Sequence, residues 1–160
     1  SVHYLGLMSF PMARDEVDAL VERLNLRSHQ RSTLKQVYRI KRNAPTIMRA
    51  AQASQLYRLL ASSNDDARLI AWVALENETA QKQIIRFQRD LRDVASLIDG
   101  HFLKEEMHLK PGPIFRDIFD ALRDARLDAE VVTLADERAL VEKIIASHPD
   151  MQAVSDKPNS

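Results

Sequence analysis

Apolar positions recur at helical spacing along most of the chain. Val17, Leu20, Val21 and Leu24 follow Arg14-Asp15-Glu16, whose acids suit a helix first turn, and Asn25 is expected to end that helix. Ser28 predicts a cap for a second helix over residues 28–41, with Leu34, Val37, Tyr38 and Ile40 or Lys41 on its inner edge; Asn43-Ala44-Pro45 is expected to stop it. Short helices are expected over 46–52 and, capped by Ser54, over 55–61. Asn64 or Asp65 opens another over 66–75, and residues 78–94 continue with Ile84, Ile85, Phe87 and Leu91. Asp99 caps residues 100–107. Pro113 suits the first position of a helix over 114–126, because its missing N–H would be unpaired there anyway. Thr133 caps the last helix, 134–147, with Asp136 in the capping-box position, and Pro149 ends it. No strand pair emerges, so the expected class is all-α, a compact array of about seven to nine short helices with short connectors.

Composition agrees. Leu and Ala are the commonest of the 160 residues, whereas Gly and Pro are sparse. With only Gly6, Gly100 and Gly112, a P-loop, a dinucleotide fingerprint and a nucleophile elbow are excluded. The lack of Cys excludes disulfides and thiolate chemistry and fits a reducing cytoplasm, the expected location. No apolar run reaches the roughly 18 residues of a membrane span, so no membrane partner is expected. The chain starts in apolar sequence without an initiator Met, and is expected to be a piece of something longer.

Charge changes the picture more. Lys plus Arg and Asp plus Glu balance at 23 each, yet no acid occurs between Arg23 and Asn64. Residues 1–60 hold ten bases against four acids, and the rest of the chain carries the opposite imbalance. Arg23, Arg27, Arg31, Lys35 and Arg39 recur every four positions, each about 40° round from the last where they share a helix. An ordinary exposed helix intersperses acids at i,i+4. The unneutralised stripe, with Lys41 and Arg42 beside it, favours phosphate contacts over the other reading of such a stripe, a solvated helix face.

Other constellations weigh less. His101, Glu105 and His108 could share a helix face as a metal edge, but no third strong ligand supports them. Asp65-Asp66 reads as helix capping, and Trp72 among Ile70, Val73 and Leu75 as core. The connector Lys110-Pro111-Gly112-Pro113 stands apart. A glycine able to take positive φ leads into a helix N-terminus flanked by Lys110 and Arg116, an arrangement suited to an anion as well as to a sharp structural turn.

Ile98-Asp99-Gly100-His101-Phe102-Leu103, the Lys110-Pro111-Gly112-Pro113 turn, Ala121-Leu122-Arg123-Asp124-Ala125-Arg126-Leu127-Asp128 and Thr133-Leu134-Ala135-Asp136-Glu137 follow in order. The series resembles the C-terminal RNA-binding region of the bacterial tRNA nucleotidyltransferase and poly(A) polymerase family. The likeness extends in layout over residues 5–147, with its firm motifs in the last third. It departs at Ala129, where the family usually has Gly, and at Arg116, where Gly is common. The family's catalytic Gly-Ser pair and Asp-x-Asp metal site have no counterpart in the chain.

The resemblance implies a helical body over 1–97 and an RNA-binding motif region over 98–148; the residues after the Pro149 stop, 149–160, read as a flexible tail. It implies a role in positioning an RNA 3′ end, tRNA above all, for a catalytic head elsewhere in the same polypeptide. This chain alone would then be no enzyme and hold no cofactor, while the parent would use magnesium and a nucleoside triphosphate. The expected RNA contacts are Arg31, Lys35, Arg39, Lys41, Arg42, Lys110, Gly112, Pro113, Arg116 and Arg123. Two other readings fit the sequence: a helix-hairpin-helix DNA-binding module, and a structural adaptor or homodimerisation domain.

Overall fold

The computed structural model describes residues 1–147; the expected helix stop at Pro149 and the tail lie outside the described residues. All the regular structure described is helical. Two compact units divide between Arg92 and Asp93, five residues before the boundary expected from the motifs.

The first unit comprises α1 (Val2–Ser9), α2 (Arg14–Arg23), α3 (Ser28–Arg49), α4 (Ala53–Leu60), α5 (Asp65–Ala74) and α6 (Glu78–Arg86), which runs on into a π turn at Phe87–Leu91. Helix α3 is the hub, packing against each of the other five helices. It passes through Pro45, where the sequence pattern predicts a stop. The buried side chains Leu34, Val37, Ile40, Ala44 and Ile47 form one stripe that continues past the proline, while Pro45 itself faces solvent. Burial of Ala44 and Ile47 offsets the roughly 3 kcal/mol that an interior proline costs. The separate helix expected over 46–52 is therefore the end of α3. Gln52, not Ser54, precedes α4, and Ser54 is buried inside it.

Helix α1 has no counterpart in the helices expected from the sequence. Its buried residues are small, Gly6 and Ser9, whereas Tyr4, Leu7 and Met8 face outward. A Cβ on Gly6 would stand 2.5 Å from Ile70 Cδ1 and 2.9 Å from Cγ2, so glycine is what lets α1 approach α5. Lys41 fastens the following connector: its Nζ donates to the Met12 carbonyl at 3.1 Å and lies 5.5 Å from the centre of the Phe10 ring. Asn25 takes φ 45° after α2, and Leu26 N–H reaches back to the Val21 carbonyl, the left-handed helix ending its amide favours.

The second unit holds α7 (Gly100–Glu105), α8 (Pro113–Leu127) and α9 (Leu134–Ala146). Asp99 and Thr133 cap α7 and α9 as expected, with the Asp136 carboxylate accepting from Thr133 N–H at 2.8 Å in return. Ile98, Leu103, Ile114, Ile118, Leu122 and Val141 make its core. Glu137, also fully buried, accepts from the N–H groups of Leu97 and Ile98 and from Arg126. These bonds tie Leu97 and Ile98 to α9.

Candidate nucleic-acid interface

Packing sorts the basic residues of the first unit into separate groups. The four-residue stripe is broken: Arg23 ends α2 and Arg27 precedes α3, so only Arg31, Lys35 and Arg39 share a helix, together with Arg42. With its apolar stripe inward, α3 turns Lys35, Tyr38, Arg39 and Arg42 toward α2, which contributes Arg14 and Asp18. These side chains surround a concavity of about 260 Å³ with Val17 in its wall. Arg31 and Lys35 are exposed, as is Arg42. Among the described residues, Lys35, Arg39 and Arg42 form no ion pair, and Arg14 meets Asp18 only at 3.8 Å. The Arg39 guanidinium is partly sunk, with Nε and Nη2 enclosed and making no hydrogen bond within the described chain.

The remaining expected contacts are differently placed. Lys41 is spent on Met12 and Phe10, as above. In the second unit, Arg123 Nη2 donates to Asp120 at 2.6 Å and is half-buried. Arg116 is almost fully exposed and stands 4.0 Å from the other oxygen of Asp120. Lys110 and Gly112 are exposed. Gly112 is extended, with φ −176° and ψ −177°, so the turn does not use the positive φ expected of it. Pro113 occupies the start of α8, and no side chain caps that helix. The left-handed residue of this connector is His108, at φ 53°. The same bend ends α7 at Glu105, so His101, Glu105 and His108 do not share a helix. No group of three or more His, Asp or Glu side chains suited to a metal ion occurs among the described residues.

Three features escape the sequence reading. Arg68 is buried beneath the Phe87 ring, where it donates to Gln88 Oε1 at 3.0 Å, to Ser63 and to Asp65. Asp66 accepts from His3 Nε2 at 2.7 Å and from His29 Nε2 at 3.1 Å, joining α1, α3 and α5. Hydrogen bonding to His3, and then to His29, holds its carboxyl below the ordinary aspartate value. Trp72, expected in the core, is 38% exposed beside Leu69 and Ile85. Ala67, Ile70 and Ala71 take the inner face of α5 instead. For these residues the only usable signal was that small alanines mark the close-packed face.

Comparisons with protein-family models, curated proteins and solved structures found no match to this chain.

Proposed function

We propose that the chain is the helical RNA-binding part of a tRNA nucleotidyltransferase or poly(A) polymerase relative. Its role is to hold the backbone near an RNA 3′ end for a catalytic head in the same polypeptide, in the cytoplasm. The observation that carries this reading is the outer face of α3. Arg31, Lys35, Arg39 and Arg42 line one side of a helix in an acid-free stretch of sequence, with no ion pair on Lys35, Arg39 or Arg42 among the described residues. Cations that no carboxylate neutralises attract a polyanion, and backbone contacts fix register without reading sequence. The order of motifs over residues 98–138 supports the choice of RNA. Exposed Lys110 and Arg116 at the start of α8 offer a second phosphate contact.

Residues 106–112 separate α7 from α8, a longer connection than the roughly two to five residues of a tight helical hairpin. RNA is thus the better-supported partner than duplex DNA. In a competition experiment, unlabelled tRNA displaces a labelled tRNA from the chain at lower concentration than duplex DNA of equal phosphate content. Preference for the duplex would replace this reading with the DNA-binding one. Binding to neither, with a mass that rises with concentration, would favour an adaptor or homodimer. With labelled ATP, magnesium and tRNA, the chain alone leaves the RNA unextended, since magnesium and nucleoside triphosphate belong to the head.

A further inference from the structure

We infer that the cleft between α2 and α3 is a site for one phosphate group, gripped by the side edge of the Arg39 guanidinium. The two enclosed nitrogens without a hydrogen bond in the chain are Nε and Nη2. They form the edge of the guanidinium whose two N–H bonds run parallel, the geometry that meets two oxygens of one phosphate. Enclosed N–H donors need an acceptor, and their surroundings decide which kind. Arg14, Lys35, Arg39 and Arg42 place four cations around the cavity against the single carboxylate of Asp18, so an anion is favoured over a neutral group. Tyr38 adds a hydroxyl that can donate as well as accept.

Size narrows the class further. A cavity of about 260 Å³ lies below the roughly 300–1,000 Å³ that encloses a drug-sized ligand. It suits a phosphate with part of the attached sugar and excludes a duplex. Asp18, which lines the cavity from α2, can accept from a sugar hydroxyl. The phosphate is either a backbone phosphodiester of single-stranded RNA or a free monoester such as a nucleoside monophosphate. Only the first source rests on the RNA-binding reading above.

Thermal melting and NMR of the whole chain test the site with three probes: inorganic phosphate, a nucleoside 5′-monophosphate and a short single-stranded oligoribonucleotide, each against sodium chloride of equal ionic strength. Phosphate at about 20 mM is expected to raise Tm by roughly 2 °C or more beyond chloride, as for a site with a Kd on the order of millimolar. It is also expected to move the Arg39 Nε–H resonance. Arg39→Gln removes the phosphate-specific Tm shift and Arg39→Lys keeps only part of it, while Arg31→Gln on the same helix retains it. If Arg39→Gln gives no cooperative melt, the wild-type Arg39 resonance decides. A larger effect of the monophosphate than of the oligonucleotide at equal phosphate identifies a free-nucleotide site, and the reverse a backbone site. An Arg39 resonance indifferent to phosphate, or an equal Tm shift in Arg39→Gln, overturns the inference and leaves RNA binding by the open face of α3 standing. Phosphate binding without RNA binding does the opposite.

Discussion

Arg126 Nη1 donates to Glu137 Oε1 at 2.9 Å, and the Glu137 side chain has no exposure to solvent. The same carboxylate receives Leu97 N–H and Ile98 N–H at 2.9 Å each on its second oxygen. One buried charge thereby joins the start of the second unit, the end of α8 and the first turn of α9. A buried carboxylate in such a place is tolerated because its oxygens are filled and a cation neutralises it.

Glu137→Ala removes that hub, leaves two backbone N–H groups without their acceptor and strips Arg126 of its carboxylate, with only the Val132 carbonyl at 3.4 Å remaining to it. The expected loss is about 3–5 kcal/mol, read as a lower denaturant midpoint. Glu137→Gln, which keeps one acceptor oxygen, should lose less than Glu137→Ala. Equal stability of Glu137→Ala and wild type would show that the carboxylate does not organise the unit.

Ala129 sits at φ 58°, the left-handed region, just after α8. Glu130 N–H reaches back to the Ala125 carbonyl at 2.8 Å, so the helix closes in the form that ordinarily places glycine there. Alanine in this place is strained, because the left-handed region brings its Cβ close to the backbone. Ala129→Gly is expected to stabilise the chain by about 0.5–1 kcal/mol, after allowing for the added freedom of the unfolded chain. An unchanged or lower melting temperature would mean that Ala129 is unstrained.

Much of this fold is written in local sequence, and the misses have physical causes. Asp99, Thr133 and Pro113 marked helix starts because capping is decided by neighbours in the chain. Pro45 misled because its cost is local while the gain from Ala44 and Ile47 lies on other helices. Trp72 misled because large apolar side chains advertise burial, yet α5 meets α1 through Ile70 set against Gly6. At the candidate site, the sequence displayed an acid-free basic stretch but not its division. Only packing separates Lys41, tied to Met12 and Phe10, from Arg39, whose enclosed guanidinium edge has no partner in the described chain.

Asp66 links acid stability to the joint between α1, α3 and α5. Its carboxyl is held below the ordinary aspartate value, chiefly by the hydrogen bond from His3 and then by that from His29. A carboxyl lowered in the folded state contributes stability that is full above its unfolded value, near 4, and is lost as pH falls through the lower folded value. The chain should therefore lose stability below about pH 4 more steeply than Asp66→Asn, whose curve lacks this contribution. Melting temperatures recorded from pH 6 to pH 2.5 check this, and parallel curves for the two proteins would show that the joint does not depend on the charge.

The proposal that the outer face of α3 binds RNA is tested most directly by the salt dependence of tRNA binding. Each phosphate neutralised contributes about −0.7 to −0.9 to the slope of log K against log salt. Replacing Lys35, Arg39 and Arg42 together with Gln should flatten that slope by roughly two to three units. An unchanged slope in a triple variant that still melts cooperatively would contradict the assignment of RNA to this face.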